Sequence, residues 1–179
     1  MGRCRRGVHA VILHILTACS RPGFLPAWAA ELAEAAKAQG IDIRWHVGFD
    51  LACQHVGGQA VKNALLDSIP ASDPGWVWIG DDDNALDPDM LAAVAQYDTR
   101  PVDAVIFAQR RGEHVAQPSA VLNRVDAAQL VARRSAIGSH RLPLAYNGDG
   151  LLIGQLAKTA RMVYDSRPVT RYNWRTAKC

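Results

Sequence analysis

Apolar residues recur along the first 107 positions in a pattern that predicts strands alternating with helices. Val8–Leu16 is an almost continuous apolar run and Ile41–Phe49 alternates apolar with polar residues, so each predicts a strand. Trp76–Ile79 and Val102–Phe107 are short apolar runs that predict two more strands. The stretches between these runs carry apolar positions at helical spacing and predict helices over Pro26–Gln39, Gln59–Ile69 and Pro88–Gln96.

The second half of the chain is less regular. Asp126–Arg134 predicts a helix capped by its aspartate, and Gly150–Lys158 predicts another helix. Ser135–Asn147 lacks periodicity and predicts a loop, while short extended segments are predicted at Ala120–Asn123, Arg161–Tyr164 and Pro168–Tyr172. Since strands that alternate with helices imply βαβ units, we expect residues 1–179 to form one compact α/β, Rossmann-like domain. Its central sheet should be mainly parallel and flanked by helices.

The composition limits the classes of partner. A net charge of +3 over 179 residues is too small to argue for nucleic-acid binding, and no apolar segment is long enough for stable membrane insertion. The four cysteines are widely spaced and include no C-x-x-C pair, which argues against a zinc knuckle. The sequence also lacks a Gly-rich phosphate loop and a G-x-S-x-G elbow.

The N-terminal segment leaves two interpretations open. Three arginines precede the apolar run Val8–Leu16, and the run ends in Leu-Thr-Ala-Cys, which fits a bacterial lipoprotein cleavage box. However, two histidines interrupt the run, and its length is at the short end for a signal sequence. Cleavage before Cys19 would also remove the first predicted strand. We therefore expect Cys19 to follow an uncleaved strand and the protein to be cytoplasmic.

Three consecutive aspartates, Asp81–Asp83, follow the predicted strand Trp76–Ile79 almost directly. Open α/β sheets bind ligands beyond the carboxyl ends of their strands. Adjacent carboxylates repel one another unless a cation neutralises them, so the cluster indicates a divalent metal that also holds a diphosphate. The alternative is an Asp-rich turn before the helix at Pro88, although Asp87 already supplies the cap residue of that helix.

Three further segments carry candidate chemistry, and each has a structural alternative. Asp149 lies between two glycines at a predicted helix start, where it is either a general base or an N-cap. The segment 171–176 supplies arginines for a phosphate leaving group, or it is a solvated basic tail. Lys62 and Asn63 precede the aspartate strand and either face the same pocket or lie on the surface.

The order of these features resembles a known fold. The chain has a first strand ending in Thr-Ala-Cys-Ser-Arg-Pro, a strand ending in Phe-Asp, a helix with Lys-Asn-Ala-Leu, then Asp-Asp-Asp-Asn and Asp-Gly-Leu-Leu. This order resembles the GT-A fold of nucleotide-sugar-dependent glycosyltransferases. The likeness runs from Val8 to Lys178 and is strongest to the inverting glucuronyltransferases of proteoglycan linker synthesis. Those enzymes carry a similar strand into Asp-Asp-Asp-Asn and a C-terminal segment comparable to residues 172–176.

The resemblance implies a role for each matched residue. The nucleotide sugar would contact Thr17, Asp50, Lys62, Asn63, Asp81, Asp82 and Arg175. A Mn²⁺ or Mg²⁺ ion would bind Asp83, with Asp81 as a second ligand. The donor would be a UDP-sugar, and the acceptor a carbohydrate or another hydroxyl compound.

The chain departs from the glucuronyltransferase pattern at two points. Asp149 stands two residues before a Leu pair, whereas the catalytic base of those enzymes is a Glu three residues before one. This arrangement is more similar to the Glu-Asp-x-x-Leu motif of family-two transferases, whose Asp acts as base, with Gly148 in place of the Glu. Asn173 also replaces a His of the glucuronyltransferase C-terminal segment.

The leading hypothesis is therefore a metal-dependent, inverting glycosyltransferase with a single GT-A-like domain and Asp149 as the base. A non-catalytic nucleotide- or sugar-binding module on the same fold is the alternative, because Gly148 replaces the glutamate of the motif. A nucleotidyltransferase on a similar sheet is a third hypothesis. It is weaker because the first strand lacks a Gly-rich loop for a triphosphate.

Overall fold

One mixed eight-stranded sheet with helices on both faces organises the protein. The computed structural model describes residues 10–51, 56–87 and 89–173. The strands are β1 (Ile12–Cys19), β2 (Asp42–Phe49), β3 (Trp76–Ile79), β4 (Ala85–Leu86), β5 (Ala104–Arg111), β6 (His114–Ala116), β7 (Leu130–Arg133) and β8 (Met162–Arg171). The α-helices are α1 (Leu25–Gln39), α2 (Gln59–Asp67), α3 (Asp89–Asp98), α4 (Arg134–Ile137) and α5 (Gly148–Leu156).

The strand order shows that the prediction of a mainly parallel sheet is wrong. The sheet runs β2-β1-β3-β7-β5-β8-β4, with β6 paired to β5. β1 is parallel to β2 and to β3, and β5 is parallel to β8. β7 lies between β3 and β5 and is antiparallel to both, and the pairs β4–β8 and β5–β6 are also antiparallel. The parallel half, β2-β1-β3, comes from the regular βαβ pattern of the first 80 residues.

β7 occupies the segment that the sequence pattern assigned to a helix over Asp126–Arg134. Asp126 does act as a cap, but it caps a single 3-10 turn, Ala127–Gln129, through a capping box that includes Gln129. The chain then extends into β7, whose first three residues are buried between β3 and β5. A short apolar run buried on both faces has no periodicity that distinguishes a strand from a helix, and here the two neighbouring strands decide the outcome.

Other boundaries differ from the prediction by small amounts. Residues 120–123 form a bend and turn rather than a strand, with Asn123 in the left-handed region (φ 65°). The two predicted C-terminal extended segments are one strand, β8, whose pairing with β5 shifts register at Phe107 and Ala108. The predicted loop 135–147 contains most of the short helix α4. The last helix, α5, begins at Gly148 rather than Gly150, which places Asp149 inside its first turn.

The two faces of the sheet carry separate apolar cores. Trp28 of α1 and Trp78 of β3 belong to one core together with α3, and Leu152 of α5 belongs to the other together with α2. The rings of Trp28 and Trp78 lie 5.7 Å apart. Each indole N–H donates a hydrogen bond to a backbone carbonyl at the edge of the core. Trp28 donates to Asp82 (3.0 Å), and Trp78 donates to Ala128 (2.9 Å). The core therefore fixes the two loops that carry Asp81–Asp83 and Asp126.

β1 ends at Cys19, which is fully buried, and β1 pairs along its length with β2. The sequence pattern placed Cys19 after a strand over Val8–Leu16, whereas in the structure Cys19 is the last residue of β1 itself. Within residues 10–51, 56–87 and 89–173, no helix combines the length and the apolar character needed to cross a bilayer.

Candidate functional site

A cleft of about 750 Å³ opens where β1, β2 and β3 end. The residues that follow these strands, Arg21 after β1, Asp50 after β2 and Asp81–Asp83 after β3, all line it. This is the edge at which open α/β sheets bind ligands. The structure also brings Lys62 of α2 and Asp149 of α5 to the same cleft, so residues far apart in sequence line one cavity.

Asp82 is buried and organises the loop after β1. Its Oδ2 accepts hydrogen bonds from the backbone N–H of Ser20 (2.8 Å) and of Arg21 (2.7 Å), and its Oδ1 receives the Arg21 guanidinium. Burial alone would raise the pKa of Asp82, but the hydrogen bonds from Arg21 and Ser20 hold it below its usual value. With both oxygens engaged by the chain, Asp82 fixes the geometry of the loop.

Asp83 contacts the same Arg21 guanidinium as Asp82, but its ionised form is less well stabilised. Its Oδ2 lies 2.9 Å from Nη2 of Arg21, and its side chain is mostly buried. Burial raises the pKa of Asp83, and the neighbouring charges of Asp81 and Asp82 act in the same direction against the opposing effect of Arg21. One arginine thus serves two carboxylates, which leaves Asp83 insufficiently neutralised.

Lys62 forms the second ion pair of the acidic cluster. Its Nζ lies 2.5 Å from Oδ1 of Asp81, and only 2% of its side chain is exposed, so the interpretation of Lys62 as a surface residue is wrong. Burial lowers the pKa of Lys62, but the charges of Asp81 and Asp149, with a smaller effect from Asp126, more than compensate and raise it. The ammonium therefore stays charged, paired with Asp81 and stabilised by the charges of Asp149 and Asp126.

Asp126 and Asp149 are held by adjacent amides of one turn. The N–H of Ala127 donates to Oδ2 of Asp149 (3.2 Å), and the N–H of Ala128 donates to Oδ1 of Asp126 (2.8 Å). Burial raises the pKa of Asp149, with Lys62 opposing the effect. Burial, together with the charges of Asp81 and Asp149, raises the pKa of Asp126 to about 6.

These contacts bear on the interpretation of Asp149 as an N-cap. The N-cap residue of α5 is Asn147, and Asp149 lies in the first turn with its side chain directed to the turn at Ala127. The interpretation of Asp149 as the N-cap of its own helix is therefore wrong. Its carboxylate is available to the cleft on one side and oriented by a backbone amide on the other.

The cleft carries an excess of negative charge. The described residues of its lining include six aspartates (Asp50, Asp81, Asp82, Asp83, Asp126 and Asp149) and three basic residues (Arg21, Lys62 and Arg111). Arg111 lies over the ring of Tyr172 at 4.9 Å, and its Nη2 is 3.9 Å from Oδ2 of Asp126. An anionic ligand would meet net repulsion here unless further cations entered with it.

Two amide side chains of α2 anchor the loop that leads to Asp149. Gln59 donates to the carbonyl of Ala145 (2.7 Å) and accepts from its N–H (3.0 Å). Asn63 makes the same pair of contacts with Leu142, at 2.8 and 2.9 Å. We refer to these two residues as the amide clamp. The role implied for Asn63 by resemblance, contact with the nucleotide, is replaced here by a hydrogen-bonded contact with the loop.

Gly148 makes the close approach of this loop possible. A Cβ atom at this position would lie 2.2 Å from the carbonyl oxygen of Pro143 and 2.6 Å from Nε2 of Gln59. Any larger residue would displace the clamp. The glutamate that the family-two motif carries at this point therefore cannot be accommodated without rearranging the loop.

Among the described residues, two of the predicted site residues, Thr17 and Asn63, are not part of the cleft lining. Thr17 is fully buried, and its hydroxyl accepts a hydrogen bond from the indole of Trp45 (3.1 Å). Arg175 lies outside the described residues. Sequence reasoning also missed Arg21, which stands directly after β1 and was detectable by the strand-end rule that identified Asp81–Asp83. It missed Asp126 as a cleft residue because the segment was assigned to a helix.

The described residues provide only part of a metal site. No group of three or more His, Cys, Asp or Glu side chains is arranged to hold a metal ion within these residues. Asp81 and Asp83 offer two carboxylates, each with one oxygen in contact with a basic side chain. Two carboxylates are insufficient for an all-protein cage but sufficient for a Mg²⁺ or Mn²⁺ ion that also binds phosphate oxygens.

Comparisons with known proteins support the fold. No protein-family model and no curated protein matches the sequence. Among solved structures, the catalytic domain of Drosophila β1,4-galactosyltransferase 7 in complex with xylobiose is similar, with a TM-score of 0.57 and 12% identity over 89% of this chain and 65% of that one. A mutant of the same enzyme in complex with manganese, UDP-Gal and xylobiose has a TM-score of 0.55 and 14% identity, with the same coverage. The A197 protein from STIV has a TM-score of 0.52 and 12% identity over 87% of this chain and 81% of that one.

At these identities the likeness shows the fold alone. The chain has an α/β fold similar to that of a nucleotide-sugar transferase, which agrees with the GT-A-like fold predicted from the sequence at this coarse level. It spans 65% of the length of the galactosyltransferase catalytic domain.

The amide clamp predicts that replacing glutamine by leucine lowers the free energy of unfolding more at position 59 than at position 155. Gln59→Leu removes two hydrogen bonds to Ala145, and we expect a loss of about 1–3 kcal/mol in the free energy of unfolding. The matched control is Gln155→Leu, because Gln155 is exposed on α5 and should change stability by less than about 0.5 kcal/mol. Urea unfolding of both variants measures the difference, and equal losses would contradict the clamp.

The pKa of Asp126 predicts a pH dependence of stability. Its carboxyl holds a proton up to about pH 6 in the folded state, whereas an unfolded Asp releases it near pH 4 (about 3.9). The folded state therefore binds more protons between these values, and the contribution of Asp126 to stability falls as the pH rises through that window.

Asp126→Asn keeps the cap and removes this titration. We expect the variant to gain up to about 3 kcal/mol relative to the wild type between pH 4 and pH 7. Unfolding free energies measured across this range provide the test. Parallel pH profiles for the two proteins would show that Asp126 has an ordinary pKa.

Proposed function

We propose that this protein is a metal-dependent, inverting glycosyltransferase that moves a sugar from a UDP-sugar to an acceptor hydroxyl. One observation carries the proposal: a single cleft at the strand ends contains both the partly neutralised pair Asp81 and Asp83 and a buried carboxylate, Asp149, with a raised pKa. The pair Asp81 and Asp83 suits a metal–diphosphate donor. The carboxylate of Asp149 suits a general base.

The charge of the cleft supports a donor that binds together with a cation. The six aspartates and three basic residues among the described part of the lining would repel a nucleotide diphosphate by itself. Asp81 and Asp83 would hold Mn²⁺ or Mg²⁺, which when bound neutralises the charge of the departing diphosphate. Arg21 keeps Asp82 and Asp83 in place, and the buried Lys62 orients Asp81 from the other side.

The acceptor would react at Asp149. Its carboxylate removes the proton of the acceptor hydroxyl as that oxygen forms a bond to the anomeric carbon. The bond from this carbon to the diphosphate breaks in the same step, so UDP leaves and the configuration is inverted. The N–H of Ala127 orients the carboxylate, and the charge of Lys62 favours its ionised form.

A non-catalytic nucleotide- or sugar-binding module is the second candidate. It is favoured by the internal ion pairs, because Arg21 and Lys62 already neutralise part of the acidic cluster. Such a module would bind UDP or UDP-sugar without turning it over, and the two experiments that follow separate it from the enzyme.

Asp83→Ala tests the donor site. Mn²⁺ with UDP at about a hundredfold over its dissociation constant should stabilise the wild type by about 2–3 kcal/mol, more than either ligand alone. The variant should lose this synergy. Asp42→Ala is the control, because Asp42 is half-exposed on β2 and pairs only with Arg44 among the described contacts. Thermal shift measures all three proteins, and a full synergy in Asp83→Ala would remove Asp83 from the metal site.

Asp149→Asn tests the base. The amide oxygen can still accept from Ala127, so UDP affinity and stability should stay close to those of the wild type. Transfer should fall by about 10²- to 10⁴-fold, the usual contribution of a positioned base. Turnover with a panel of acceptors and UDP affinity by calorimetry are measured on the same samples. Normal turnover in the variant would exclude Asp149 as the base, and wild-type protein that binds UDP-sugar without any turnover would favour the binding module.

A further inference from the structure

Two histidines and an aspartate form a hydrogen-bonded chain near the amino-terminal ends of β1 and β3, away from the cleft. Nδ1 of His14 on β1 lies 3.0 Å from Nε2 of His46 on β2, and Nε2 of His14 lies 3.1 Å from Oδ1 of Asp73 in the loop before β3. The two imidazole rings are stacked, with their centroids 5.2 Å apart. We call these three residues the histidine latch, because they join three segments of the parallel half of the sheet.

The chemistry of the three groups limits the number of protons in the latch. Burial alone would raise the pKa of Asp73, but the hydrogen bonds from Gly75 and His14 hold it below its usual value. The ionised carboxylate only accepts, so Nε2 of His14 carries a hydrogen. Only one hydrogen fits between the facing ring nitrogens of His14 and His46, whichever ring donates it. The intact pair of rings therefore holds at most one positive charge.

The fold prevents His14 from turning away when a second charge is added. Only 3% of its side chain is exposed. A Cβ atom at Gly75 would lie 2.9 Å from Cδ2 of His14, so the ring packs directly against the backbone of the loop before β3. Two N–H groups that face each other at 3.0 Å repel, and the half-buried His46 is the ring that has to move.

The charged groups around the latch do not favour a second positive charge. Arg44 of β2 lies 3.6 Å from Oδ2 of Asp73 and also pairs with Asp42 at 3.1 Å. Arg134 of α4 is buried and interacts electrostatically with Asp73 and with Asp67 of α2. A second charge on the rings would thus have one contacting carboxylate, Asp73, which Arg44 already partly neutralises.

The pKa of His46 has the direction that this geometry implies. Burial lowers it, and the charges of His14 and Arg44 act in the same direction against the opposing effect of Asp73. The folded state therefore binds protons less readily than the unfolded chain, in which a histidine titrates at about 6.5. The contribution of His46 to stability is present above this pH and is lost as the pH falls through it.

β2 is the strand that depends on the latch. It stands at one end of the strand order and, among the strands of the described residues, pairs only with β1. The indole of Trp45 gives β2 a further side-chain link to β1 through the hydroxyl of Thr17 (3.1 Å), but neither of these groups titrates near neutral pH. The bond between the two histidines is the link that responds to protons.

We propose that the histidine latch is an acid-sensitive device: when both rings are protonated, the hydrogen bond between His14 and His46 breaks and the edge strand β2 loosens from β1. The proposal does not depend on the function proposed above, because the latch shares no residue with the cleft lining. Since β1 and β2 lead to the cleft at their carboxyl ends, the latch gives acid a route to the strands that support the site.

Hydrogen exchange of the β1 and β2 backbone amides, at about pH 7.5 and about pH 5, tests the latch. After correction for intrinsic exchange rates, we expect the opening of β2 to increase about tenfold or more at the lower pH in the wild type. His46→Gln keeps an N–H donor for His14 but takes up no proton, so its opening should change by less than about twofold. Equal pH responses in the wild type and in His46→Gln would overturn the proposal.

His114→Gln is the matched control, because His114 is exposed on β6 and lies outside the latch. This variant should respond to pH as the wild type does, and a response lost equally in His114→Gln would overturn the assignment to the latch. Asp126 titrates in all three proteins, so its own contribution to the pH dependence cancels in the comparison.

A titration of the imidazole ¹⁵N resonances in the wild type needs no variant and decides the matter if His46→Gln does not fold. We expect the pair to take up its first proton with the hydrogen bond intact, and its second only together with faster exchange of the β2 amides. Two histidines that titrate independently at about pH 6.5, without any change in exchange, would overturn the proposal.

Discussion

The ammonium of Lys62 is buried among carboxylates, and the geometry of the cleft depends on this contact. It pairs with Asp81 at 2.5 Å and its charge is sustained by Asp149 and Asp126. A buried charge is tolerated only with a partner, and here Asp81 is the carboxylate that contacts the ammonium directly. The loop after β3, the turn at Asp126 and the first turn of α5 are therefore coupled electrostatically to one side chain.

The helix α2, which carries Lys62, also holds the loop before α5. Gln59, Lys62 and Asn63 lie at spacings of three and four residues, so they share one face of α2. Lys62 contacts the aspartate loop after β3, while Gln59 and Asn63 hold the loop before α5. A single rigid element thus sets the distance between the two halves of the cleft. Catalytic groups need this kind of support, because small errors in position cost large factors in rate.

Much of this arrangement could be predicted from the sequence, for reasons that differ from residue to residue. Asp81–Asp83 were identified because they closely follow an apolar strand, and the strand-end rule needs only local pattern, whereas Asp50 was identified only through the resemblance to the GT-A fold. The burial of Lys62 was not predictable, since an isolated lysine on a helix is almost always exposed. The antiparallel strand β7 was missed because its apolar run is only three residues long and carries no periodicity of its own. The clamp at Asn63 joins residues 79 positions apart, a separation that local pattern does not reach.

The indole of Trp28 gives the cleft an internal optical reporter. Its N–H donates to the backbone carbonyl of Asp82, while its ring packs near the rings of Trp45 and Trp78 in the core. Any shift of the aspartate loop must change the polar environment of this buried ring. The intrinsic fluorescence of the protein is thereby coupled to events at the carboxyl end of β3, so occupancy of the site can be followed in solution without attaching a label.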